Sequence, residues 1–222
     1  MSALADSKTE TVAQIIRRIY QPKINNLLVV GCGAGVEAAI LAQQLKTKVV
    51  GIDVENNFDS ESAKFAVLQT GDAMNLGFAD DSFDFVFSYH ALEHIETPQK
   101  ALTEIHRVLK KNGGFWIGTP NKSRIAGYIG GKNTTFAQKL QWNFVDWKAR
   151  LRGEFENHLG AHAGFTSAEL HRLLSAVFPA VEEKTREYFS TVYSNHQTLL
   201  NLIESSGLSR FIYPSVYFTG VK

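Results

Sequence analysis

Residues 27–36 read Leu27-Leu28-Val29-Val30-Gly31-Cys32-Gly33-Ala34-Gly35-Val36. Four apolar residues stop at a glycine-rich turn, and a helix-like run from Val36 to Leu45 follows at once. An unbroken apolar run is what a parallel strand covered on both faces requires. Glycines let the backbone turn tightly and approach a ligand closely. The helix start then offers N–H groups to an anionic part of that ligand. Asp53 lies twenty residues beyond Gly33, after a second apolar run, Val49-Val50-Gly51-Ile52. A carboxylate at the tip of a second strand suits the two hydroxyls of a ribose. The first expectation is therefore a nucleoside-containing cofactor at the carboxyl edge of a parallel sheet.

The loop is G-x-G-x-G, and Val36 stands where a dinucleotide loop has its third glycine. Further motifs follow in order: Gly51-Ile52-Asp53-Val54, Gly71-Asp72-Ala73-Met74-Asn75-Leu76, Phe83-Asp84-Phe85-Val86-Phe87-Ser88, Ala91-Leu92-Glu93-His94-Ile95-Glu96-Thr97-Pro98 and Leu109-Lys110-Lys111-Asn112-Gly113-Gly114. With the glycine loop, this series resembles the class I S-adenosylmethionine-dependent methyltransferases, in particular their broad small-molecule (type 11-like) group. The resemblance covers residues 27–119. It implies S-adenosyl-L-methionine as cofactor and methyl transfer by in-line displacement to a small-molecule or lipid-like acceptor.

By the same resemblance, the backbone of Gly31, Cys32, Gly33 and Gly35 lies against the amino-acid end of the cofactor. Asp53, with Val54 beside it, takes the ribose. Asp72 faces the adenine amino group, and the Ala73 N–H faces a ring nitrogen. Ser88, Tyr89 and His90 lie at the strand tip nearest the transferable methyl. His90 and His94 are the candidate catalytic bases, since histidine titrates near neutral pH. A structural place for His94, pointing into the loop before Thr97, is the alternative. The family often has an acid two residues before the first glycine, to hold the methionine amino group; this chain has Val29.

The spacing predicts a helix over 8–20 with Val12, Ile15, Ile16 and Ile19 on one face, then strands at 48–53, 66–69, 83–88 and 115–118. Residues 54–64 are polar and only weakly helical. Thr97-Pro98 opens a helix with a capping hydroxyl, and Asn112-Gly113-Gly114 closes it, with Lys110 and Lys111 at its negative end. Alternating strands and helices of these lengths argue for an α/β fold: a doubly wound, mostly parallel seven-stranded sheet, Rossmann-like. The last strands of the family's sheet form an antiparallel pair, expected at 181–189 and 212–218. The whole of 1–222 is expected to form one domain, with a leading helix at 8–20, a cofactor-binding core at 27–119, a lid and acceptor-binding insertion at 120–165, and C-terminal helices and antiparallel strands at 166–222.

Within that insertion, Phe136, Leu140, Phe144, Trp147 and Leu151 form one helical stripe, with Lys139, Lys148, Arg150 and Arg152 nearby. Its ordinary meaning is core or a homodimer contact. Trp142, Phe144 and Trp147 also suit the wall of an apolar acceptor pocket. Basic residues beside an apolar stripe suit a helix lying on a membrane or lipid substrate.

Composition narrows the rest. With 222 residues, 44% hydrophobic and 20% charged, the chain has the make-up of an ordinary globular protein. A net charge of +1 gives nucleic-acid binding no support. A single cysteine forbids an internal disulfide and fits a reducing compartment. No apolar run approaches the ~18 residues of a membrane span, and the start lacks a secretory pattern; a cytoplasmic protein is expected.

Three alternatives stand beside methyl transfer. The segment His90-Ala-Leu-Glu93-His94 resembles the E-x-x-E-H segment of two metal-dependent O-methyltransferase branches. If it were helical, its i, i+3 and i+4 side chains would share a face, with His158 or His162 as a fourth ligand. The missing acid at Val29 favours a non-catalytic cofactor- or partner-binding module on the same fold. A dinucleotide oxidoreductase is disfavoured by Val36.

Overall fold

A computed structural model describes residues 7–20, 22–127, 135–157 and 163–222. Helix α1 (Ser7–Ile19) leads into β1 (Asn26–Val30), α2 (Val36–Leu45), β2 (Lys48–Asp53), β3 (Val67–Thr70) and β4 (Phe83–Tyr89). Then come α3 (Pro98–Val108), β5 (Leu109–Pro120), α4 (Phe136–Leu151), α5 (Ser167–Ser175) and β6 (Ala180–Glu183). The chain closes with α6 (Thr185–Val192), α7 (Gln197–Ser205), α8 (Ser209–Ile212) and β7 (Ser215–Val221).

The seven strands form one sheet in the order β3-β2-β1-β4-β5-β7-β6. β1 pairs in parallel with β2 and β4, β2 with β3, and β4 with β5; β7 runs antiparallel to both β5 and β6. The fold class is the expected one. The order reverses at β1, where crossovers on one side lead to β2 and on the other to β4. In open α/β sheets a cleft opens at such a switch point, outside the strands' carboxyl ends.

Alternate residues of β1 feed two cores. Leu27 and Val29 pack with Ile15 and Ile16 of α1, Leu41 of α2 and Tyr188 and Phe189 of α6. Leu28 and Val30 pack with Leu102 and Ile105 of α3 and Leu170 and Leu174 of α5. The sheet is thus covered on both faces, which is why its strands read as continuous apolar runs. Truncating a fully buried residue such as Leu102 to alanine costs about 2–5 kcal/mol. Val29, where the family often has an acid, is 1% exposed and belongs to this core.

Four local expectations are corrected. The Thr97 side chain makes no cap hydrogen bond to α3; Pro98 at the first turn opens that helix without it. α3 ends at Val108, not at Asn112-Gly113-Gly114, because Leu109 turns extended and begins a twelve-residue β5. Lys110 therefore pairs with Asp84 at 2.7 Å rather than with a helix end. The run 181–189, expected as strand, is strand only to Glu183; from Thr185 it is α6, whose Tyr188 and Phe189 pack against Tyr217 and Tyr213. By contrast, the Thr166–Glu169 capping box forms as the spacing suggests. Between β2 and β3 there is only a short turn of 3₁₀ helix at Ser62–Lys64.

Helix α4 is inverted relative to the simplest reading of its stripe. Its buried residues are polar. Asn143 Oδ1 accepts the Gly127 amide, and Asp146 pairs with Arg124 at 3.1 Å. The apolar stripe faces outward: Phe136, Leu140, Phe144, Trp147 and Leu151 are all exposed. A core role for these five side chains is thereby excluded.

Candidate functional site

The turn after β1 is built on three alternate left-handed glycines, with φ of +73° at Gly31, +50° at Gly33 and +90° at Gly35. Side chains rarely adopt this conformation. At Gly31 a Cβ would also lie 2.2 Å from the Ala91 Cβ, whereas at Gly33 nothing stands within 4 Å. Gly33 thus borders open space. The Gly31 and Cys32 amides both donate to the Ile52 carbonyl at 2.9 Å, and the Gly35 amide donates to the Cys32 carbonyl at 2.8 Å. No side chain caps the start of α2.

Asp53, at the tip of β2, accepts the Gly33 amide on Oδ2 at 2.8 Å and the Glu55 amide on Oδ1 at 3.1 Å. Asp72 follows β3 and accepts the Met74 amide on Oδ1 at 2.8 Å. Gly31, Gly33, Asp53, Val54, Asp72, Ala73, His90 and His94 all line one cavity of about 580 Å³ at the carboxyl edge of the sheet. This volume falls in the ~300–1,000 Å³ range of small-molecule sites. Both aspartates expected to meet beside Gly33 do so.

Two further carboxylates that the sequence reading did not single out, Glu55 and Glu96, line the same cavity, and no lysine or arginine does. Four acids against two histidines favour positive over negative charge there. A pyrophosphate would meet repulsion there; a sulfonium and an ammonium would be attracted. Nothing in the local sequence marks Glu55 or Glu96, since each depends on how its loop folds back over the cleft.

Four of the expected cofactor residues stand apart from the cavity lining. Gly35 and Cys32 are buried, shaping the turn from behind. Burial, with Asp53 nearby, pushes the Cys32 thiol up to about 12, so it is no nucleophile at neutral pH. Ser88 is 3% exposed within β4. Tyr89 turns to the other side, where it borders a second cavity.

His90 lines the first cavity, and its chain neighbour Tyr89 lines the second. Its backbone is left-handed, at φ +53°, and its amide donates to the Gly118 carbonyl at 2.8 Å. Its ring lies 4.1 Å from that of Tyr89, and its Nε2 is 3.3 Å from Ser215 Oγ. The helix that a metal set requires does not form: only Leu92–His94 make a 3₁₀ turn, and His90 lies before it. Among the described residues no three His, Cys, Asp or Glu side chains could hold an ion together. His158 and His162 lie outside the described residues.

Glu93 is the residue least legible from sequence. Its side chain is 1% exposed, it stands 3.8 Å from His90 Nδ1, and neither carboxyl oxygen has a hydrogen-bond partner among the described residues. Burial raises its carboxyl to about 7, against a weaker opposing pull from its own backbone amide and Arg124. Asp84, by contrast, is structural. Burial raises it, but Lys110 and the Asn26 and Asn25 amides outweigh this and hold it below the usual range.

Residues 28–117 match a family model described as a methyltransferase domain. A protein named methyltransferase GfsG from Streptomyces halstedii is 32% identical over 124 residues, which is 51% of this chain and 44% of that protein. A demethylmenaquinone methyltransferase from Symbiobacterium thermophilum is 32% identical over 102 residues, 41% of each. The chain thus spans less than half the length of either relative. The crystal structure of the YcgJ protein from Bacillus subtilis superimposes with a TM-score of 0.58 at 17% identity, covering 96% of this chain and 97% of that one. That likeness is one of fold.

Proposed function

We propose that this chain, whose residues 28–117 match a methyltransferase-domain family model, binds S-adenosyl-L-methionine in the acidic cavity and transfers its methyl to a small-molecule or lipid-like acceptor. The observation that carries this is the lining of that cavity. The glycine turn, Asp53 and Asp72 meet with Glu55 and Glu96, and no lysine or arginine among the described residues opposes them. A cationic adenosyl ligand fits this lining; a dinucleotide, with its pyrophosphate, does not.

The open face of Gly33 admits the amino-acid end of the ligand, and the uncapped start of α2 favours its carboxylate by roughly 0.3–1 kcal/mol. An ionised carboxylate has about four acceptor directions. Asp53 uses two on Gly33 and Glu55, which leaves two for ribose hydroxyls. Asp72 Oδ2 and the Ala73 N–H are assigned to the adenine edge. Gly35 and Cys32 hold the turn in shape, and Val54 borders the ribose. When bound, S-adenosyl-L-methionine supplies a methyl carbon on a positively charged sulfur, which departs as a neutral thioether.

The chain's own contribution to the chemistry is alignment and proton handling. His90 lies on the cavity wall at the end of β4 and accepts the acceptor's proton. His94, on the same wall, is the second candidate. Ser88 and Tyr89 fix the strand end from which His90 projects. The exposed α4 stripe supports the lipid-like side of the reading. Five apolar side chains face outward, and Lys148 and Arg152 are exposed on the same helix.

Calorimetric titration with S-adenosylmethionine, S-adenosylhomocysteine and NAD tests the proposal. Binding of the first two with no NAD binding is expected. NAD binding, or no binding of either adenosyl compound, would defeat it. Turnover against a metabolite panel separates an enzyme from a silent binding module.

A further inference from the structure

We infer that the second cavity, behind Tyr89, holds an uncharged, flat, apolar acceptor with one hydroxyl directed at His90. This rests on the reading of the first cavity as the methyl-donor site, and it names the acceptor's chemistry.

The second cavity measures about 380 Å³ and borders Tyr89, whose chain neighbour His90 borders the first. Its walls are aromatic and come from three distant stretches: Tyr89 at the end of β4, Tyr188, Phe189 and Tyr193 around α6, and Tyr213 and Tyr217 around β7. Several rings are held parallel. Phe189 and Tyr213 stack at 4.4 Å and 6°, and Tyr89 and Tyr217 at 6.0 Å and 11°. Parallel rings at a cavity wall favour a flat, ring-bearing guest by offset stacking. α7 adds aliphatic surface through Leu200 and Ile203.

No aspartate or glutamate lines this cavity; Lys8 and His196 are its basic groups. An ammonium-bearing acceptor would be desolvated there without a counter-charge. The first cavity has the opposite character, with four acids and no lysine or arginine. The two sites therefore sort their ligands by charge: the cation on one side, the neutral apolar partner on the other.

One polar atom of the second cavity's wall, Ser215 Oγ, lies beside His90. Tyr217 Oη is 3.5 Å from Tyr89 Oη, and Ser215 Oγ, on the cavity wall, is 3.3 Å from His90 Nε2. A hydroxyl placed beside Ser215 meets His90, which also lines the first cavity. As its oxygen bonds to the methyl carbon, the O–H bond breaks and the proton passes to His90; the carbon–sulfur electron pair stays on sulfur.

The test uses three probes of one shape: 2-naphthol, the cation 2-naphthylmethylamine and the anion 2-naphthoate, titrated calorimetrically at pH 7. Ile203→Trp fills the cavity, and Leu199→Asp puts a charge at a half-exposed position on its wall; neither position lines the first cavity. 2-Naphthol is expected to bind at least tenfold tighter than the cation, and the anion, which Lys8 and His196 attract, no tighter than 2-naphthol. Each variant is expected to weaken 2-naphthol at least tenfold while leaving S-adenosylhomocysteine affinity within twofold. Leu199→Asp keeps the test open should Ile203→Trp fail to fold. Cation binding equal to that of naphthol, anion binding tighter than naphthol, or naphthol binding indifferent to a folded variant overturns the inference. If wild type fails to bind S-adenosylhomocysteine while naphthol still follows the variants, the donor-site reading falls and the apolar site stands.

Discussion

The carboxylate of Asp53 accepts the Gly33 amide at 2.8 Å, tying the tip of β2 to the glycine turn after β1. One side chain thereby shapes the turn and faces the cavity. Asp53→Ala is expected to lose both roles. Affinity for S-adenosylhomocysteine should fall by about 1.5–3 kcal/mol for each ribose hydrogen bond lost, at least tenfold in all. The melting temperature should fall as well, because Gly33 and Glu55 lose their acceptor. Paired calorimetry and thermal unfolding check this. A variant that melts early but binds normally would remove Asp53 from the ligand.

The two glycines of the turn should separate folding from binding. Gly31→Ala places a methyl 2.2 Å from the Ala91 Cβ at φ +73°, so it strains the backbone and displaces the segment bearing His90. Gly33→Ala meets no atom within 4 Å and bears only the left-handed strain of about 1–2 kcal/mol. Its methyl projects into the open space assigned to the ligand. The expected outcome is a modest drop in melting temperature for Gly33→Ala with a large loss of ligand affinity, and a large drop in both for Gly31→Ala. A Gly33→Ala protein that binds as tightly as wild type would place the ligand elsewhere.

Glu93 sets a pH dependence whose sign is fixed by the direction of its shift. Its carboxyl is raised from the usual 4.5 to about 7 in the folded protein, chiefly by burial. Between those values the folded state holds a proton that the unfolded chain has released. The contribution of Glu93 to stability is therefore fully present below pH 4.5 and is lost as pH rises through 7, amounting to about 3 kcal/mol. Glu93→Gln removes this titration. Urea unfolding at pH 5, 6, 7 and 8 should show wild type losing stability relative to the variant as pH rises. A difference that stays constant over this range would contradict the burial of a free carboxyl.

The α4 stripe can be changed without touching the core. Replacing Phe136, Phe144 and Leu151 with serine should leave stability within about 0.5 kcal/mol per site, since each is more than 60% exposed. The same triple variant should lose co-sedimentation with vesicles containing anionic lipid at low salt. Wild type that fails to sediment at either low or high salt would end the lipid-surface reading. A large loss of stability would mean that the stripe is covered.

The sheet was legible because physics writes it plainly. Strands buried on both faces cannot alternate, so β1, β2 and β4 stand out as apolar runs, and the left-handed turn after β1 is marked by its glycines. Periodicity located α4 but not its orientation: the same stripe serves core or solvent, and the Arg124–Asp146 pair that decides between them joins positions 22 residues apart. The run at 181–189 looked like a strand because its Val181, Tyr188 and Phe189 are of types that favour strands on average. Packing of Tyr188 and Phe189 on β7-side tyrosines overrides that preference. The second cavity carried no local signal, since Tyr89 and Tyr217 are 128 residues apart. The burial of Glu93 was hidden for the same reason: its sequence neighbours give no hint of what covers it.

A crystal structure of the protein soaked with S-adenosylhomocysteine tests the central claim most directly. The ribose hydroxyls should lie within hydrogen-bond distance of the Asp53 carboxylate, with the adenine beside Asp72 and the amino-acid end over Gly33. Density for the ligand in any other cavity, or a ribose turned away from Asp53 within this one, would contradict the account.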